Sequence, residues 1–244
     1  SLLTIIMVWL VTSINDLQGA TKSRRAKSDV VYRWSMFWFI FSEVWFFIAL
    51  FGILFYTRFV TIPTLAGTYP GDRLTHYLLW PNFSAQWPLL VVPDPSRYTL
   101  ADGVLNAFGF PLINTIVLVS SGVSITIAHW ALLEKKRFMA ISWQLVTALL
   151  GVIFLYLQYH EYVEAYSHYG LRLDSGMYAS VFYFLTGFHG LHVLLGTIML
   201  LIVACRMFIH NHLSESFLVF EIISWYWHFV DVVWLLLFVF VYWV

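Results

Sequence analysis

Charged residues are scarce in this sequence, and that scarcity decides the class of protein. Only 11% of the 244 residues are Asp, Glu, Lys or Arg, whereas 61% are hydrophobic. A soluble domain carries about 25% charged residues, so a soluble globular chain is excluded. Basic and acidic residues cancel at 13 each, which leaves no basic surface for nucleic acid. The composition indicates a polytopic membrane protein.

Cysteine is almost absent as well. The single cysteine, Cys205, excludes an internal disulfide and a thiolate metal site. The sequence also contains no glycine-rich phosphate loop, no nucleophile elbow and no CxxC motif. Any metal site in this chain would therefore depend on histidine.

Long apolar runs predict an all-α bundle of transmembrane helices, since about 20 apolar residues cross a bilayer. We predict a single membrane domain over residues 1–244, with five complete spans and a partial N-terminal span at residues 1–14. The segment 57–109 is rich in proline and is predicted to lie outside the membrane. The complete spans are predicted at residues 34–56, 110–133, 138–162, 177–208 and 217–244.

The last predicted span contains polar residues that a lipid-facing helix rarely carries, namely Glu221, His228 and Asp231. A charged side chain at the bilayer centre costs at least roughly 2.5 kcal/mol and normally faces the bundle interior with a partner. His228 and Asp231 are separated by one helical turn. Trp227, Asp231 and Trp234 also recur at helical spacing. We predict that this shared face meets another helix.

Glu43 is the acid inside the first complete span, about 15 Å from the predicted start of the helix. Burial disfavours a charged carboxyl at that depth, so the group requires a partner. Two functional interpretations are a proton-relay group and an anchor for a bound lipid. The structural interpretation is a neutral acid hydrogen-bonded to a neighbouring helix.

His189 and His192 form an HxxH pair, and two imidazoles separated by one helical turn can share a metal ion. A di-iron membrane enzyme would need several such clusters, and only His210 and His212 add to this one. Hydrogen bonds between closely packed helices are the alternative interpretation. We therefore expect no metal on this pair.

Gln158, Glu161 and Glu164 recur at intervals of three residues near the end of a predicted span. Two acids at this spacing repel each other if both ionise. Either they form a hydrated pair at the membrane surface, or one of them holds a proton or pairs with a base.

Arg206 lies near the end of the predicted span 177–208. A guanidinium matches a phosphate with two parallel hydrogen bonds, so Arg206 could hold a phospholipid headgroup. The alternative is that its side chain only extends to the membrane surface.

Six blocks of sequence follow one another in a fixed order, at residues 42–47, 110–115, 121–129, 158–165, 186–193 and 225–234. Together they resemble subunit 3 of the haem-copper cytochrome c oxidases, the third core subunit of respiratory complex IV. The resemblance runs from about residue 16 to residue 243.

The resemblance implies a non-catalytic subunit of the complex that reduces oxygen to water and pumps protons. Such a subunit packs on the catalytic subunit 1, alongside subunit 2 and accessory subunits. Haem and copper are held by those partners, while this chain binds phospholipid and supports proton uptake and stability. Within the first block, Glu43 matches the family's intramembrane glutamate by the lipid cleft. Arg33 and Arg206 match basic positions at the inner membrane surface, and the resemblance implies lipid-binding or proton-related roles for all three. Structural roles within the membrane are predicted for Gln158, Glu161, His189, His192, Glu221, His228 and Asp231.

The family has seven spans, so the first helix is expected to be absent here or supplied by a separate peptide. The resemblance places the chain in the mitochondrial inner membrane as a multi-pass protein, with a bacterial plasma membrane as the alternative. Subunit 3 of a quinol oxidase is the nearest alternative function. A His-box di-iron enzyme and a transporter are more distant ones.

Overall fold

The structure is a computed structural model that describes residues 22–91, 101–209 and 213–243. Within these residues the secondary structure is helical and contains no strand. Their helices include five that are long and apolar enough to cross a membrane, at Asp29–Leu65, Phe110–Leu133, Arg137–Ser167, Met177–Ile209 and Phe217–Trp243. The predicted all-α membrane bundle with five complete spans is confirmed. The partial span predicted at residues 1–14 lies outside the described residues.

Short connections join most of the described helices, whereas residues 80–109 separate the third α-helix from the fourth. A 3-10 turn at Pro70–Asp72 precedes the third α-helix, and π-helical segments occur at Thr57–Thr61 and Phe238–Trp243. In chain order the α-helices are α1 (Lys22–Tyr56), α2 (Ile62–Leu65), α3 (Arg73–Leu79), α4 (Phe110–Leu133), α5 (Arg137–Ser167), α6 (Met177–Ile209) and α7 (Leu213–Leu237).

The first complete span is longer than the sequence indicates. We predicted its end at residue 56 because Pro63 follows, but the π-helical segment and α2 continue the helix to Leu65. A proline in a regular helix collides with a carbonyl one turn earlier. The wider π-helical turn directly before Pro63 relieves that collision, so the segment predicted to be extramembrane begins in helix.

The chain divides into two compact units, Ser1–Glu43 and Val44–Val244, where the sequence predicts a single membrane domain. The boundary falls within α1. In the first unit, the described side chains of α1 are mostly exposed, and Trp34 and Trp38 are 58% and 59% exposed. The second unit contains helices α2 to α7.

A tight turn joins α4 to α5 and makes them antiparallel neighbours. The turn is only Glu134–Lys136 long, and Lys135 adopts a left-handed conformation with φ of 60°. The backbone N–H of Lys136 donates to the carbonyl of Ala131 at 2.9 Å and closes the helix end. Ser124 and Thr147 then join the two helices through hydroxyl groups 2.7 Å apart.

Trp227 of α7 fills the space between three other helices. A Cβ atom added to Gly151 of α5 would lie 2.8 Å from the indole ring, and one added to Gly196 of α6 would lie 2.9 Å from it. The ring is fully buried. Only glycine therefore permits α5 and α6 to approach this tryptophan so closely.

Candidate functional site

Two tryptophans of α7 bind α4 through their indole nitrogens. Trp227 donates from Nε1 to the hydroxyl of Ser121 at 2.9 Å. Trp234 donates from Nε1 to the hydroxyl of Thr115 at 2.9 Å. Both tryptophans are fully buried. The predicted shared face of α7 thus meets another helix, and each buried N–H has the acceptor that it requires.

Amide side chains of α5 bind backbone carbonyls of α6. Gln144 donates from Nε2 to the carbonyl of Leu200, and Gln158 donates to that of Thr186, both at 2.8 Å. The hydroxyls of Tyr162 and Thr186 lie 2.7 Å apart. The structure therefore places Gln158 at a contact between helices.

Glu161 is fully buried, and Tyr242 donates a hydrogen bond to its Oε1 at 2.5 Å. Its Oε2 has no hydrogen-bond partner among the described groups. Glu164, one turn further along α5, is half-buried. The two acids therefore have different surroundings. The hydration predicted for the pair is possible at most for Glu164. Sequence reasoning missed Tyr242, because nothing in the spacing of α5 identifies a partner from another helix.

A cavity of about 380 Å³ opens beside these two acids. Glu161 and Glu164 form its α5 side, and Asn106 and Tyr169 contribute polar atoms from the connections before α4 and after α5. The remaining lining residues are Leu105, Gly109, Phe110, Pro111 and Ile113. Because four of its nine lining residues carry polar side chains, the cavity can hold water next to the buried carboxyl of Glu161.

The two histidines of the HxxH pair have different surroundings. His189 is fully buried, with ring centroids 5.6 Å from Phe154 and 5.2 Å from Trp234. His192 lies one turn away, and its Nδ1 is 2.6 Å from the carbonyl of Phe188 in its own helix. Among the described residues, no group of three or more His, Cys, Asp or Glu side chains could hold a metal ion. His210 and His212 lie outside that part of the chain.

His228 and Asp231 lie one turn apart on α7, with Nδ1 3.6 Å from Oδ2. Asp231 is buried against α4, and a Cβ atom added to Gly122 would lie 2.5 Å from its Oδ2. The side chain of His228 is 47% exposed. The sequence predicts both residues inside the bundle, and only Asp231 lies there. The difference has a geometric cause, because three residues advance a helix by about 300° and leave His228 at the edge of the buried face.

The remaining candidate residues occupy separate positions. Glu43 is half-buried and Arg33 is exposed, both on α1 in the first unit. In the second unit, Glu221 is half-buried on α7, and the hydroxyl of Ser224 donates to its carbonyl at 2.7 Å. Arg206 is half-buried in the last turn of α6. Their lipid-binding, proton-related and structural roles stay predictions.

Arg137 is a functional candidate that the sequence did not reveal. From the start of α5 its guanidinium donates to the carbonyls of Met207 and Phe208, the latter at 2.9 Å. These carbonyls belong to the last turn of α6, where intrahelical partners run out and the helix dipole favours a cation. Arg137 therefore donates the hydrogen bonds to the backbone carbonyls next to Arg206. The Arg206 guanidinium is not needed as a donor to them.

Comparison with known proteins agrees with this helical membrane architecture. The family described as cytochrome c oxidase subunit III matches residues 97–244. Cytochrome c oxidase subunit 3 of Pongo abelii is 38% identical over 211 residues, which cover 86% of this chain and 69% of the relative. The subunit 3 of Homo sapiens is 38% identical, with the same coverage. That of Branchiostoma lanceolatum is 40% identical and is covered over 68% of its length. The chain belongs to the cytochrome c oxidase subunit 3 family.

Proposed function

We propose that this chain is a non-catalytic core subunit of a cytochrome c oxidase, and that haem and copper are bound by its partner subunits. The main observation that supports this proposal is family membership over 86% of the chain. The packed interior supports it, because the indoles of Trp227 and Trp234 and the hydroxyl of Tyr242 all bind other parts of the bundle. These polar groups stabilise helix contacts.

The complex that contains the chain is proposed to reside in the mitochondrial inner membrane. The relatives named above come from eukaryotes, in which cytochrome c oxidase is a mitochondrial complex. Subunits 1 and 2 and accessory subunits are the proposed partners. The direct test is to purify the chain from native membranes and record the haem spectrum of the preparation. A preparation without haem-binding subunits would overturn the proposed function.

Phospholipid binding is proposed for the exposed aromatic face of α1. Trp34, Phe37, Trp38 and Phe41 recur at helical spacing and are each at least 42% exposed. Their rings contact one another, with centroids 5.7 Å apart for Trp34 and Phe37. Acyl chains can pack on such a face, while the neighbouring guanidinium of Arg33 can bind a phosphate.

Arg206 is proposed to bind a second phospholipid phosphate at the end of α6. Arg206→Ala is then expected to remove a phospholipid molecule per chain from the purified complex, as measured by phosphorus analysis. Arg172→Ala is a matched control, because its guanidinium lies over the ring of Tyr166, 4.7 Å from the centroid. An unchanged lipid content in Arg206→Ala would exclude this role.

Glu43 is proposed to support proton uptake by the complex. An amide has nearly the shape of a protonated carboxyl, so Glu43→Gln is expected to assemble in wild-type amounts. It cannot exchange a proton, and we expect proton consumption during turnover to slow several-fold. Glu134→Gln is the control, since the carboxylate of Glu134 is 61% exposed and lies 2.6 Å from the amine of Lys136. Equal proton-uptake rates in Glu43→Gln and the wild type would contradict the role.

A further inference from the structure

The cavity beside Glu161 is lined by a carboxyl group whose hydrogen bonds are incomplete. Glu161 is fully buried, and its Oε1 accepts a hydrogen bond from Tyr242. Its Oε2 has no partner among the described groups, although the side chain lines the cavity. A buried polar atom without a partner in a folded protein is explained by a bound ion, ligand or water. An ionised carboxyl is only an acceptor, so the missing partner of Oε2 is a hydrogen-bond donor.

Further acceptor oxygens line the same cavity. Glu164 contributes a second carboxyl, one turn further along α5. Asn106 contributes an amide, and its Oδ1 accepts from the backbone N–H of Phe108 at 3.0 Å, which fixes the orientation of the side chain. None of the described lining residues is basic. Two carboxylates beside one cavity repel each other unless a cation lies between them, so the lining favours a positively charged occupant.

An organic ammonium group fits this cavity better than a metal ion. The described residues include no group of three or more His, Cys, Asp or Glu side chains that could hold a metal. The cavity volume is about 380 Å³, which is within the range of roughly 300–1,000 Å³ of small-molecule pockets. A primary ammonium has three hydrogens to donate, and Glu161, Glu164 and Asn106 offer an acceptor for each. The apolar part of the lining, which includes Phe110 and Ile113, suits an attached carbon chain.

The cavity lies at the end of two membrane spans, where both water and lipid headgroups are close. α4 begins at Phe110, and α5 ends at Ser167. Glu164 precedes that end by three residues, which is about 4.5 Å along the helix. Ile113 lines the cavity and is 48% exposed, so the apolar side of the cavity continues onto the outer surface of α4. An amine can therefore enter from the water or as the headgroup of an aminophospholipid.

We propose that the cavity between α4 and α5 binds a primary ammonium group. Its hydrogens are accepted by Glu161, Glu164 and Asn106, and its carbon chain packs on Phe110 and Ile113. The source of the group is either a free alkylamine or the headgroup of an aminophospholipid. The site consists of residues of this chain alone, so its test does not depend on the proposed function. It also differs in chemistry from the phosphate sites proposed above, because its lining is acidic.

Thermal unfolding of the full chain in phosphatidylcholine nanodiscs tests the ammonium site. The quaternary ammonium of phosphatidylcholine has no N–H, so this membrane does not supply the proposed ligand. A ligand that binds only the folded state stabilises it in a saturable manner, and we expect butylammonium chloride to raise the unfolding temperature in this way. Butan-1-ol and tetramethylammonium chloride at the same concentration should not raise it, because they lack the ammonium hydrogens. Equal effects of butylammonium and butan-1-ol would overturn the site.

Substitutions at the cavity locate the binding. Glu164→Gln removes one charge, keeps the side-chain shape and leaves the bond between Tyr242 and Glu161 intact, and we expect it to weaken butylammonium binding at least about tenfold. Glu134→Gln is the matched control, because this acid is 61% exposed in the turn at the other end of the two helices. Ile113→Lys places a tethered ammonium at the exposed edge of the cavity, and it should abolish the response to butylammonium. This second variant keeps the test decisive if Glu164→Gln does not fold. Wild-type affinity in either folded cavity variant would overturn the site.

A second membrane distinguishes the two sources of the ammonium. The same chain is placed in nanodiscs that contain equal parts of phosphatidylethanolamine and phosphatidylcholine, and the lipids that it retains after detergent extraction are identified by native mass spectrometry. If the headgroup is the ligand, the wild type should retain a phosphatidylethanolamine that butylammonium displaces and that Glu164→Gln lacks. If the ligand is a free amine, butylammonium should bind equally well in both membranes, with no preference for phosphatidylethanolamine among the retained lipids.

Discussion

Trp227→Ala is expected to lower the free energy of unfolding of the bundle by about 3–5 kcal/mol, the usual cost of truncating a buried aromatic side chain. The ring is fully buried and lies against Gly151 of α5 and Gly196 of α6. Neither glycine has a side chain that could move into the cavity left behind. The hydroxyl of Ser121 also loses the indole donor that lies 2.9 Å from it.

Thermal unfolding of the purified chain in detergent, followed by circular dichroism, measures this loss. Trp225→Ala is the matched control, because it removes the same side chain from the same helix at a position that is 37% exposed. Its cost is expected to be much smaller, since less packing is lost. Similar unfolding temperatures for the two variants would contradict the role assigned to Trp227.

The transmembrane spans could be predicted because their signal is local. A run of apolar residues long enough to cross the hydrocarbon is visible in the sequence itself, and the prediction 110–133 coincides with α4. The ends were harder to place. The span predicted to end at residue 162 continues to Ser167, whose hydroxyl donates to the carbonyl of Val163 at 2.6 Å. Helices continue into polar sequence, and hydropathy does not record that continuation.

The polar contacts were predictable only within a helix. Spacing placed Trp227, Asp231 and Trp234 on one face, and all three are buried. Spacing could not identify Ser121 and Thr115 of α4 as the partners of the two tryptophans, because a helical period carries no information about the neighbouring helix. The same limit explains why His228 was predicted inside the bundle. Its exposure depends on the side of α7 against which α4 packs, which spacing within α7 does not record.

The bond between Glu161 and Tyr242 leads to the second large expected effect. Tyr242→Phe removes the hydrogen-bond donor to Glu161 Oε1, which lies 2.5 Å from the phenol oxygen, and leaves the aromatic ring in place. Since Oε2 of this fully buried acid also has no partner among the described groups, the carboxyl would lose its direct hydrogen bond. Leaving a buried polar group without its partner costs about 1–3 kcal/mol.

The same substitution at an exposed tyrosine separates this bond from the general effect of losing a hydroxyl. Tyr166→Phe is suitable, because Tyr166 lies on α5 near Glu161 and is 56% exposed. Its thermal unfolding is expected to match that of the wild type. A double-mutant cycle isolates the pair: in a Glu161→Leu background, Tyr242→Phe should cost less than it does in the wild-type chain, because the acceptor is already gone. Additive costs would show that the hydroxyl of Tyr242 does not stabilise the bundle through Glu161, and that the carboxyl is satisfied by water from the adjoining cavity.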